Sequence, residues 1–146
     1  MPTYTVTVAQ GRLSSDEKLR LAQGITSAHN EATGAQGFFA QVIVNEVAPG
    51  NHFIGGSPLR DDQIFVHGHI RAGRTDERKQ FLLARIRDCV MAVVRVERRY
   101  VWVYVSEIPP VQMIEYGHEL PQPGQEDVWL ESLSEADRAY LLSLGR

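Results

Sequence analysis

The 146 residues are 43% hydrophobic and 23% charged, the composition of a globular chain with enough apolar mass for one core, which excludes a disordered protein. A net charge of −3 argues against a nucleic-acid-binding surface, and there is no basic-then-apolar leader or run of about 18 apolar residues, so a cytoplasmic protein without membrane attachment is expected. A single cysteine, Cys89, excludes an internal disulfide or a cysteine-based metal cluster.

The chain opens on a strand. Tyr4, Val6 and Val8 alternate with Thr3, Thr5 and Thr7, the period-2 pattern of a half-buried strand. An initiator methionine is normally removed ahead of a small residue, which would leave Pro2 with a free secondary amine on an ordered element. An α-amino group titrates near about pH 8, and its surroundings decide whether it serves as base or acid. On these residues alone, a strand that is only a strand accounts for the same pattern.

Ser14 followed three positions later by Glu17 fits a capping box, and Leu21, Ala22, Ile25, Ala28, His29 and Ala32 continue one apolar stripe to the stop at Thr33-Gly34. A helix is predicted there, followed by a strand over residues 41–47. Pro49, Gly50, Gly55, Gly56 and Pro58 then break the chain around a short strand at 52–54. From Gln63 the order restarts. Residues 64–70 read as a strand, and Thr75-Asp76-Glu77 reads as a capped helix start. Phe81, Leu82, Ile86, Cys89, Val90 and Val93 form the next stripe, with Cys89 a buried thiol. Residues 100–106 form a strand with Tyr100, Trp102 and Tyr104 on one face and Val101, Val103 and Val105 on the other.

The offset of about sixty residues throughout predicts an α/β fold of two βαβ units in one four-stranded sheet with two helices on one face. Residues 1–60 would form the first unit and 61–107 the second. Residues 108–146 would be a C-terminal arm with a short helix opened by Ser134, all within a single domain 1–146. Two helices leave the other sheet face bare and apolar, so a homo-oligomer is expected.

The segment Gly68-His69-Ile70-Arg71-Ala72-Gly73-Arg74-Thr75 is not a phosphate loop: arginine stands for lysine, His69 and Ile70 fill the loop, and no magnesium-holding strand follows. It leaves Arg71 and Arg74 beside a helix N-terminus, where guanidinium forks suit a small carboxylate, although a solvated pair fits equally. His67 and His69 share a strand face without a third ligand at recognisable spacing, so no metal is expected. His29, Tyr104 and Glu115 are unremarkable one by one.

Together these residues resemble the tautomerase superfamily, and within it the cis-3-chloroacrylic acid dehalogenase group. The resemblance is carried by Met1-Pro2-Thr3-Tyr4, Thr26-Ser27-Ala28-His29, Phe65-Val66-His67-Gly68, Arg71-Ala72-Gly73-Arg74, Val101-Trp102-Val103-Tyr104, Glu115-Tyr116-Gly117 and the run from Leu120 to Gly124. It implies a homotrimer without cofactor that acts on a small anionic carboxylate. Pro2 would be the acid, Tyr104 and Glu115 would activate water, and His29, Arg71 and Arg74 would bind the carboxylate. The implied reaction is hydration of a cis-3-haloacrylate to malonate semialdehyde and halide. A keto-enol tautomerase of the phenylenolpyruvate type or an acetylenic-acid hydratase is the alternative, followed by a trimeric binding protein without activity.

Overall fold

The computed structural model describes residues 2–60 and 62–144. Strand β1 (Thr3–Ala9) leads to helix α1 (Ser15–Thr33) and strand β2 (Gln41–Val47). A hairpin of β3 (Phe53–Ile54) and β4 (Ser57–Pro58) crosses to β5 (Ile64–Arg71), helix α2 (Asp76–Val94) and β6 (Val101–Ile108). The predicted helix punctuation is present. Ser14 and Glu17 form a reciprocal capping box, Gly34 closes α1 in the left-handed conformation at φ 73°, and Thr75 caps α2.

The sheet order is β2-β1-β5-β6. Each βαβ unit contributes a parallel pair, and the units meet antiparallel along β1 and β5. Val6 stands opposite Val66, with Thr5 facing His67 and Thr7 facing Phe65. An approximate two-fold axis therefore passes between Val6 and Val66 and carries each β1 residue onto the one sixty positions later.

Both helices cover one sheet face. Tyr4, Val6, Val8, Ile64, Val66 and Ile70 point at them and are buried, meeting Leu21, Ile25 and Ala28 of α1 and Leu82, Ile86 and Val90 of α2. Each fully buried aliphatic side chain contributes about 1.5–3 kcal/mol relative to exposure. The helices approach closely where Gly24 faces Cys89: a Cβ on Gly24 would lie 2.3 Å from Cys89 Sγ. Phe81 departs from the predicted stripe and is exposed. The buried row of α2 runs Leu82, Ile86, Val90, Val94 at four-residue spacing, and Phe81 falls one position, roughly 100° of rotation, off it.

The other sheet face carries Ile43, Phe65, His67, Trp102 and Tyr104, of which Ile43, Trp102 and Tyr104 are exposed. The C-terminal arm is more structured than one short helix. It holds a hairpin of β7 (Ile114–Glu115) and β8 (His118–Glu119), then α3 (Glu126–Ser132) and α4 (Glu135–Ser143). A second apolar cluster anchors it. Phe39, in the 3₁₀ turn Gly37–Phe39 after α1, packs with Leu120, Leu141, Trp129 and Leu133. Trp129 also donates to the carbonyl of Glu119 at 2.9 Å. No described helix is long and apolar enough to cross a membrane.

Candidate active site

Pro2 is buried at the head of β1, and its carbonyl accepts the Gln41 N–H at 3.0 Å, which extends the β1–β2 pairing to the first described residue. Across from it, the arm brings in Glu115. Pro2, Thr3, Phe39, Met113, Glu115 and Tyr116 line one cleft of about 510 Å³. Glu115 is aimed by a tight hairpin, since it pairs with His118 across the two residues Tyr116 (φ 54°) and Gly117 (φ 81°). Both are left-handed, the geometry of a type I′ turn. Glycine adopts it freely, whereas a left-handed tyrosine costs about 1–2 kcal/mol. Burial pushes the Glu115 carboxyl above the ordinary carboxylate range, and the amino-terminal charge and Arg71 pull it back.

His29 lies within electrostatic reach of Arg74, the amino terminus and Arg71. It is 4% exposed near the end of α1, and its Nδ1 lies 2.8 Å from the Tyr4 hydroxyl. Burial drives the imidazole pKa down to about 3, with the charges of Arg74, the amino terminus and Arg71 adding to the effect. His29 is therefore neutral near pH 7. Burial likewise raises the Tyr4 phenol, which keeps its proton, and that buried proton needs an acceptor. His29 Nδ1 is the acceptor within reach, so Tyr4 fixes the tautomer with hydrogen on Nε2. Gly68 makes room for this pair: a Cβ there would lie 2.4 Å from Tyr4 Cε1.

Arg71 ends β5 and is 4% exposed. It does not stand at the α2 N-terminus, where Thr75, Asp76 and Glu77 already serve the first turn. Its guanidinium turns to the arm, with Nη1 donating to the Pro121 carbonyl at 2.7 Å and Nη2 paired with Glu126 of α3. Nε is buried and has no hydrogen-bond partner among the described residues. Arg74 is half-buried, and among the described residues no carboxylate pairs with its guanidinium. Burial and the neighbouring Arg71 lower its pKa. Arg74, Arg78, Glu126 and Asp127 line a second hollow of about 330 Å³ against the end of α1.

Tyr104 is the one expected site residue that a single chain does not bring to this cluster. It lies on the open sheet face, 52% exposed, against Phe65 and His67 at ring-centroid distances of 5.0 and 6.3 Å. The His67 and His69 rings lie on the same face with centroids 4.4 Å apart and planes tilted by 43°, and His67 Nε2 meets Ser106 Oγ at 2.9 Å. Among the described residues no group of three or more His, Cys, Asp or Glu side chains could hold a metal ion.

The model of the Tautomerase_3 family, described as "Putative oxalocrotonate tautomerase enzyme", matches residues 1–133. A crystal structure of N1, a member of the cis-3-chloroacrylic acid dehalogenase family, is 33% identical, with 97% of this chain and 99% of that one covered at a TM-score of 0.93. The chain belongs to the tautomerase superfamily, in its cis-3-chloroacrylic acid dehalogenase family. The likeness to two other solved structures is looser. Native Ps01740 is also 33% identical, but only 77% of this chain is covered, at a TM-score of 0.73. A fused 4-OT asymmetric trimer is 26% identical over 80% of this chain, at 0.74. No curated protein matches the chain.

Sequence reasoning passes over Tyr4 and Glu126 as members of this tautomerase-superfamily site. Tyr4 reads as one more apolar strand position, and the available signal is that it alone among the inward β1 residues carries a hydroxyl that must be satisfied when buried. Glu126 lies 55 positions from Arg71, and nothing in the local pattern connects them.

Proposed function

We propose that the chain is a cofactor-independent hydrolytic dehalogenase of cis-3-haloacrylates, and that Pro2, exposed as an amine once Met1 is removed, is its acid. The reading rests above all on Pro2 and Glu115 sharing one cleft, in a chain 33% identical over nearly its whole length to a member of the dehalogenase family.

The arginine charge and the His29 Nε2–H bind the substrate carboxylate and draw electron density from C3. Glu115, a carboxylate made more basic by burial, takes a proton from water as the water oxygen bonds to C3, and Pro2 delivers its proton to C2. The resulting halohydrin expels halide as its hydroxyl loses a proton, leaving malonate semialdehyde. Pro2 must be protonated for this step. Glu115 across the cleft favours that state and the arginines oppose it.

Tyr104 enters the scheme only from a neighbouring subunit, because it stands on the face that packing of copies would cover. A trimer, the assembly named for the fused 4-OT neighbour, fits this requirement. The second reading is keto-enol tautomerisation with neutral Pro2 as base, favoured by the oxalocrotonate tautomerase description of the matching family.

The two readings separate on their protons. With Met1 removal verified by mass spectrometry, Pro2→Ala and Glu115→Gln should each abolish halide release from cis-3-chloroacrylate. If Glu115→Gln instead retains wild-type turnover of phenylenolpyruvate, and the wild type releases no halide, the tautomerase reading replaces this one.

A further inference from the structure

In each half of the chain, a short hairpin with a two-residue turn follows the second long strand. In the first half the turn is Gly55-Gly56, at φ 60° and 76°, between β3 and β4. In the second it is Tyr116-Gly117, at φ 54° and 81°, between β7 and β8. The left-handed first position of such a turn suits glycine or asparagine, and a bulky side chain there is an outlier. Among the described residues, Tyr116 and Arg95, which closes α2, are the non-glycine residues at positive φ. The turn itself does not require a tyrosine, because Gly55 makes the same turn in the other hairpin. What distinguishes Tyr116 is its place, on the wall of the cleft that holds Pro2 and Glu115.

Tyr116 borders two hollows, this cleft and a groove shared with Ala40, Val42 and Leu144. The Tyr140 ring of α4 meets its ring edge-on, with centroids 6.3 Å apart. Burial raises the Tyr116 phenol, and the charges of Glu115 and Tyr140 add to the effect, so the ring lies within electrostatic reach of the Glu115 carboxylate. We propose that Tyr116 is a positioning residue for Glu115: its ring, kept in a turn that glycine would make without strain, stands between the Glu115 carboxylate and the outer groove and shields that carboxylate from bulk water. A carboxylate shielded in this way holds a proton more tightly, which suits a group that must take one from water. The amino terminus at the head of β1 and Arg71 at the end of β5 act on Glu115 in the opposite direction. His118 stands across the hairpin from it and is itself paired with Asp137, and Tyr140 backs the Tyr116 ring. The catalytic consequence of the shield rests on the base role proposed for Glu115 above; the shield itself does not.

The test is the titration of the Glu115 carboxyl, read from carbon-13 spectra of protein labelled at the glutamate carboxyls and assigned by the signal missing from Glu115→Gln. In the wild type it should titrate above the ordinary carboxylate range. Tyr116→Asn gives the turn its favoured Asn-Gly pair but removes the ring, and should weaken the hold of Glu115 on its proton at least about threefold. Tyr116→Phe keeps the ring and should keep the wild-type midpoint. A tyrosine that merely held the hairpin would leave the midpoint unmoved in both variants. An unmoved midpoint in a Tyr116→Asn protein with native circular dichroism overturns the proposal, as does an equal fall in Tyr116→Phe, which would assign the effect to the hydroxyl. A wild-type midpoint in or below the ordinary range overturns it without any variant. If the wild type releases no halide from cis-3-chloroacrylate while Tyr116→Asn still lowers the midpoint, the functional reading falls and this inference stands.

Discussion

Replacing Tyr4 with phenylalanine isolates one atom of the site. The ring is fully buried and its hydroxyl lies 2.8 Å from His29 Nδ1, so the substitution keeps the packing and removes only the donor. A buried nitrogen that loses its partner costs about 1–3 kcal/mol. In a chain of this length each kcal/mol lowers Tm by about 2–4 °C, so a fall of about 2–12 °C is expected. The second effect is chemical. Without the phenol the neutral imidazole redistributes between its tautomers, the Nε2–H population drops, and affinity for a carboxylate falls by up to about one hydrogen bond, roughly 1 kcal/mol or fivefold. Thermal unfolding reads the first effect, and nitrogen-15 spectra of the imidazole read the second, with the proton on Nε2 in the wild type. A wild-type spectrum with the proton on Nδ1, or an unshifted Tm in Tyr4→Phe, would refute the reasoning.

His29 also ties stability to acid. Its pKa in the fold is about 3 against an ordinary 6.5, so between those values the unfolded chain binds a proton that the native chain does not. Stability should therefore fall by about 1.4 kcal/mol per pH unit below pH 6.5, and His29→Gln should flatten that part of the urea-unfolding profile; an equal slope in the variant counts against a buried neutral imidazole. Gly68→Ala forces a methyl to within 2.4 Å of the Tyr4 ring, in a strand that cannot easily retreat. A loss of about 1–3 kcal/mol is expected, and a chemical denaturation midpoint equal to wild type would show that the ring moves freely. Light scattering should return a trimer, and the mass of one chain would leave the exposed Trp102 and Tyr104 unexplained.

The two-unit fold is legible because its signals are local and repeated. Ser14 with Glu17, Gly34 and Thr75 punctuate the helices through contacts within four residues, and the alternation of β1 needs no knowledge of its partners. The arm is legible only as breaks in the pattern. Helix α3 has seven residues and no side-chain cap, too short to declare itself by period. It is held by Trp129 packing on Phe39, ninety positions away. Arg71 shows the same limit at the site: its residue type and neighbourhood are readable, but its engagement by Pro121 and Glu126 depends on where the arm folds back.

The two-fold relation between the halves has a further consequence, a division of labour between the two ends of the sheet. The axis that carries Val6 onto Val66 carries Pro2 onto Asp62 and Tyr4 onto Ile64, and it carries Arg71 back onto Gly11. His29 and Val90 stand at the same position of two 19-residue helices. The end opposite the cleft thus has an aliphatic residue in place of each partner in the Tyr4–His29 pair, and Asp62 there is bound to Arg12 at 2.7 Å. A nitrogen at position 62 is committed to a peptide bond and can never serve as a terminal amine. Doubling the unit within one chain therefore leaves the second end to hold the fold together, free to accumulate residues that chemistry at the first end would forbid.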